Sequence, residues 1–119
     1  MSAAANAVVL LIALLHVYIL VLEMFLWERP AGLKAFDMDE NFAAATRILA
    51  ANQGLYNGFL AAGLFWGLFK GDIHIQRFFL GCVATAGVYG AMTANAKILW
   101  IQAAPAVVGL VLLGFVPSY

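Results

Sequence analysis

Charge is the scarcest commodity in this sequence. Six basic and six acidic side chains in 119 residues make 10% charged, with a formal net charge of zero. Soluble globular chains carry about 25% charged residues, so an ordinary soluble domain is not expected. No basic tract is present, which removes nucleic acid as an expected partner. The single cysteine, Cys82, excludes an internal disulfide. No pair of histidines or cysteines has metal-ligand spacing, so neither a metal nor another cofactor is expected. No phosphate-binding glycine loop precedes a helix, and no Ser/His/Asp set stands out.

Hydrophobic residues are what remains, at 66% of the chain, with a mean hydropathy of +0.97. The N-terminal apolar run lacks the positive start of a signal peptide and continues to Glu23 and Trp27, so it reads as a mature span. Crossing a hydrocarbon core takes about 20 helical residues. Four segments meet that length, at residues 6–27, 46–69, 76–96 and 98–116. The expected fold is all-α: a single domain over residues 1–119 forming an antiparallel bundle of four transmembrane helices. Long unbroken apolar runs exclude a β-barrel.

The breaks between spans have their own chemistry. Pro30 and Gly32 are expected to keep residues 28–32 out of a helix. Asp37 and Glu40 have capping-box spacing, so the second helix is expected to begin near Met38, either projecting from the membrane or breaking before the span. Gly71 suits a helix C′ position and Asp72 the next N-cap. Asn95, Ala96 and Lys97 form a short turn that makes the third and fourth spans antiparallel neighbours. Pro105 is expected to kink the fourth. Arg29, Lys34, Arg47 and Lys97 share one face of the membrane against Lys70 and Arg77 on the other. By the positive-inside rule both termini are expected outside the cytoplasm.

Polar residues inside the spans are the candidates for function. In the second span, Ile48, Leu55, Phe59 and Trp66 share a stripe suited to lipid. Ala50, Gly54, Gly58 and Ala61 form a small-residue stripe for close helix approach. Between these stripes lie Asn52, Gln53, Tyr56 and Asn57. On the first helix, His16, Leu20, Glu23 and Trp27 fall on one face. The third repeats Thr85, Tyr89 and Thr93 every four residues, and the fourth places Gln102 a turn beyond Lys97. All are expected in one leaflet half, as a polar pocket opening toward Arg29 and Lys97 and closed near His16. Glu23 weighs most, because a carboxylate in a membrane is costly unless paired, protonated or wetted. Arg47 is its expected partner.

Each candidate also has a plainer reading. The amides can be interhelical glue, at about 0.6 kcal/mol per contact. His16 alone is more often a satisfied core residue, and Trp27, Trp66, Trp100 and Tyr119 suit an aromatic belt. Glu23 is near enough to the headgroups to act as an anchor. A polar constellation drawn from four helices favours a cavity over glue.

The Glu23–Trp27 end of the first helix, LAANQGLYNGFLAAGLFWG at residues 49–67, GVYGAMT at residues 87–93, and Gln102 with Pro105 and Ala106 together resemble a family of small four-span bacterial membrane proteins classed as a domain of unknown function. The resemblance covers nearly the whole chain. It implies the four-helix fold and marks Glu23, Asn52, Gln53, Gly54, Tyr56, Asn57 and Gln102 as motif positions, without implying an activity.

The first expectation is therefore a homo-oligomeric protein of the bacterial cytoplasmic membrane that binds or transports a small molecule, with Glu23 as a proton or cation site. The Gly54/Gly58 and Gly63/Gly67 pairs offer surfaces for self-association, with use within the bundle as the alternative for the first. A second expectation is a membrane enzyme acting on a lipid- or quinone-like substrate through His16, Glu23 and Tyr89. A third is a structural subunit.

Overall fold

A computed structural model describes residues 3–95 and 98–115. Ala96, Lys97, Val116 and Tyr119, used above for the last turn, the end of the fourth span and the aromatic belt, lie outside the described residues. Every element described is helical: α1 (Ala3–Met24), α2 (Pro30–Ala35), α3 (Glu40–Lys70), α4 (Ile73–Thr93), a π-helical turn (Leu99–Ala103) and α5 (Ala104–Gly114). Among the described residues, α1 is the one helix long and apolar enough to cross a membrane, at a mean hydropathy of 2.6. The apolar stretch Leu99–Gly114 is shorter. The long helix α3 is diluted by Asn52, Gln53 and Asn57, and α4 by its polar start at His74, Gln76 and Arg77.

The helices contribute to two compact units. The first comprises the described parts of Met1–Leu14 and Leu60–Tyr119, the second Leu15–Phe59. In the first, α1 supplies Ala5, Val9, Ile12 and Ala13, at the 3.6-residue period of one helix face. They join Leu64 of α3, Leu80 and Val83 of α4, and Ala106 and Leu113 of α5 in one core. Gly87 lets α4 press against the π-turn, since a Cβ there would lie 2.6 Å from the Ala103 nitrogen. Arg77 donates from Nη2 to the Leu113 carbonyl at 2.9 Å, a cation at the C-terminal end of α5, where the helix dipole is negative.

The joints depart from expectation in two places and agree in two. Residues 28–32 are not free of helix: α2 starts at Pro30, whose missing N–H and fixed φ suit a first helical position. Asp37 does not cap α3. It turns at φ 54°, and Asp39 accepts from the Phe42 N–H at 2.7 Å. From Glu40 the helix runs unbroken for 31 residues, with no break before Thr46. The joint after Lys70 is as expected. Gly71 adopts φ 62°, the Asp72 N–H reaches back to the Gly67 carbonyl at 2.9 Å, and Asp72 accepts from His74 and Ile75 N–H groups. Proline's effect on the last helix is a π-turn: the Ala104 N–H bonds Leu99, five residues back, just before Pro105.

Candidate functional site

The second unit holds the most unusual polar contact in the chain. Glu23, near the end of α1, is 8% exposed, and Asn57 of α3 is 7% exposed. Asn57 donates from Nδ2 to Glu23 Oε1 at 2.6 Å, with a second bond to the Gln53 carbonyl of its own helix at 3.2 Å. The two N–H groups of one primary amide thus tie a carboxyl of one helix to the backbone of another. Glycine makes the approach possible. A Cβ at Gly54 would lie 2.6 Å from Met24 Cγ and 3.0 Å from Glu23 Cβ, and one at Gly58 would lie 2.6 Å from Leu20 Cδ1. His16 is fully buried two turns earlier on α1.

Beyond Glu23 the chain is fastened by Trp27. Its indole N–H donates to Thr46 Oγ1 at 3.0 Å, and Thr46 donates on to the Phe42 carbonyl at 2.8 Å. The Trp27 ring also packs at 4.8 Å on Phe36, just after α2. Gly32 of α2 lies against the Leu26 and Trp27 carbonyls, with no room for a Cβ.

Most other candidates do not join this contact. Arg47 pairs with Glu28 at 3.8 Å, both partners well exposed, so the expected Glu23–Arg47 pair gives way to two separate ones. Arg47 has a long stem that follows solvent, whereas Asn57 sits where the glycine stripe brings α1 close. Asn52, Gln53 and Tyr56 are exposed on the outer side of α3, and Asn52 donates to the Ile48 carbonyl of its own helix. In the first unit Thr85, Tyr89 and Thr93 are exposed, with the two threonine hydroxyls bonded to the Gly81 and Tyr89 carbonyls one turn back. Gln102 is half-buried within the π-turn. Within the second unit, Glu23 and Asn57 are the candidates brought into direct contact, with His16 buried on the same helix as Glu23. Among the described residues no three His, Cys, Asp or Glu side chains form a metal-binding group.

A family described as a protein of unknown function (DUF1304) matches residues 10–114. The chain belongs to that family. It is 32% identical over 106 residues to the uncharacterized protein YpaA of Lactococcus lactis subsp. lactis (strain IL1403), covering 86% of this chain and 89% of that one. No solved structure matches. The DUF1304 match contains every candidate residue named above, Glu23 and Asn57 included.

One polar residue of this DUF1304 chain went unread in its sequence. Gln76 is fully buried at the start of α4 and donates from Nε2 to the Gly67 carbonyl at 3.1 Å. Its Cγ fills the space over Gly67, where a Cβ would lie 2.7 Å away. The signal was the Gly63/Gly67 pair, which invites a partner on a neighbouring helix. Leu20 lies over Gly58, the use within the bundle that the sequence allows for the first glycine pair, and Phe79 lies over Gly63 of the second pair, expected at a surface for self-association.

Proposed function

We propose that this DUF1304 chain is an integral protein of the bacterial cytoplasmic membrane that binds or moves a small proton-donating or cationic solute at Glu23, with Asn57 orienting the carboxyl. The Glu23–Asn57 bond carries this reading. A carboxyl among apolar helices must be protonated, wetted or matched by a cation, and each state couples it to something mobile. The neutral Asn57 amide supplies a hydrogen bond without supplying charge, which leaves the charge on Glu23 for a solute or proton to answer.

Support for the membrane setting comes from what the surface displays. Leu11, Phe25, Ile48, Leu49, Trp100 and Phe69 are between 64% and 92% exposed, and soluble monomers rarely expose apolar residues so densely. The apolar stretch of α1 is only 33% buried, whereas the core helix of a soluble protein is mostly buried.

Purified protein in detergent, heated with a panel of metabolites, lipids and quinones, tests the proposal. A solute that raises the wild-type melting temperature and fails on both Glu23→Gln and Asn57→Ala is the expected result. Saturation at 100 times Kd stabilises by about 2.7 kcal/mol. In reconstituted vesicles, pH-dependent uptake or binding is expected to disappear in Glu23→Gln with the fold retained. Unchanged pH dependence would sink the coupling role.

A structural subunit is the second reading. It draws on bonds that polar side chains make inside the protein: Asn57 Nδ2 to Glu23, Gln76 Nε2 to Gly67 and Arg77 Nη2 to Leu113. Two open, apolar surface grooves also fit it. One of about 340 Å³ is lined by Val8, Leu11, Ile12, Pro105 and Val108, and one of about 520 Å³ by Asn6 and apolar neighbours. None of the polar candidates lines either. Under this reading no solute stabilises the wild type, while both variants lose stability.

A further inference from the structure

We infer that α3 carries a two-fold self-association face, on which Ala45, Leu49, Asn52, Tyr56 and Phe59, flanked by Gln53, pack against the same residues of a second copy. The inference rests on the membrane reading above. All six residues are exposed, Leu49 at 73%, Tyr56 at 54% and Phe59 at 57%. Their spacing along α3 alternates four and three residues, the period of a left-handed helix pair. Ridge packing at that period gives a crossing of about +20°, the commonest geometry among membrane helices.

Chemistry calls for a partner on this face. The Asn52 Nδ2 group bonds the Ile48 carbonyl, and the oxygen of this exposed side chain accepts no hydrogen bond among the described residues. The exposed Gln53 side-chain amide forms no hydrogen bond among the described residues. Hydrocarbon chains offer such groups nothing, and leaving them unmet is unfavourable.

A second copy is the fitting occupant for three reasons. A primary amide is both donor and acceptor, so Asn52 and Gln53 are complementary to themselves. The face bears no charge, so two copies meet without repulsion. For copies inserted in the same sense, a two-fold axis along the membrane normal brings residues 52 and 53 to their own counterparts at equal depth. The small-residue stripes, the usual alternative, are already covered by Leu20, Met24 and Phe79. An asparagine within such a seam also fixes register and copy number.

The test uses native membranes and a Cys82→Ala background with single cysteines at Ala45→Cys, Leu49→Cys and Tyr56→Cys, and Leu55→Cys as the control on the neighbouring stripe. Oxidation is expected to yield a band at twice the 12.8 kDa chain mass for the first three and not for Leu55→Cys. Wild type in mild detergent is expected at the dimer mass. Asn52→Leu with Gln53→Leu should raise its dissociation constant about tenfold, as one or two lost amide contacts imply. Carbonate extraction of the same membranes separates the two layers of argument. Protein retained in the membrane but not linked, linked equally at Leu55→Cys, or linked to a different polypeptide overturns the self-association face alone. Protein released by carbonate overturns the membrane reading and this face with it.

Discussion

Glycine 54 decides how near Glu23 comes to α3. The nearest atom to a Cβ there, Met24 Cγ at 2.6 Å, belongs to a flexible side chain that can turn aside. Glu23 Cβ at 3.0 Å and the Leu20 carbonyl at 3.3 Å cannot move without the α1 backbone. Gly54→Ala is therefore expected to push the helices apart and destabilise by roughly 1–3 kcal/mol, the range for overpacking. It should also weaken any solute effect that depends on the Glu23–Asn57 bond. Gly81→Ala is the matched control. Nothing lies within 4 Å of its Cβ, and removing a glycine from a helix interior stabilises by about 0.5–1 kcal/mol. Equal melting temperatures for the two variants would show that Gly54 does not set the approach. At this scale the sequence was a good guide to identity and a poor one to pairing. Glu23 and Asn57 stand out as polar residues in apolar surroundings. Their contact depends on how α1 is rotated toward the glycine stripe, and matched depth alone favours Arg47 just as well.

The start of α3 separates two aspartates that look equivalent in the sequence. Asp37 with Glu40 has the more familiar spacing, but formation of α2 moves the turn. Phe36 then closes α2, Asp37 takes a left-handed conformation, and Asp39 is left in place to receive the Phe42 N–H. The error begins at Pro30, read as a breaker although the same ring favours a first helical position. Asp39→Ala is expected to lower stability by about 1 kcal/mol, the usual loss of an N-cap. Asp37→Gly is expected to raise it by roughly 0.5–1 kcal/mol, because glycine accepts positive φ without the crowding of a Cβ. Thermal unfolding of both variants checks the pair, and destabilisation by Asp37→Gly would return the cap to Asp37. The joint at Gly71 and Asp72 was readable for the converse reason: one glycine and one aspartate occupy two adjacent positions, with no competing residue nearby.

For the chain as a whole, the all-helical character follows from long apolar runs, and every element among the described residues is helical accordingly. The number of membrane crossings is less legible. Apolar content is concentrated in α1, while α3 and α4 dilute theirs with amides, glycines and a charged or polar start. A hydropathy count treats Asn57 as a penalty, yet its amide is bonded to Glu23 and to the backbone of its own helix, so its cost in a bilayer is largely offset. Four crossings and one crossing make opposite predictions for the loops. In the Cys82→Ala background, Lys34→Cys, Lys70→Cys and Asn95→Cys can be treated with a membrane-impermeant maleimide in intact and permeabilised cells. Four crossings with both termini outside expect Lys70→Cys to label in intact cells, and Lys34→Cys and Asn95→Cys only after permeabilisation. The reverse pattern keeps four crossings and inverts the orientation drawn from the basic residues. If α1 alone crosses, all three positions share one side and label together. The exposed amides of α3, Asn52 and Gln53, would then face water, where they need no partner at all.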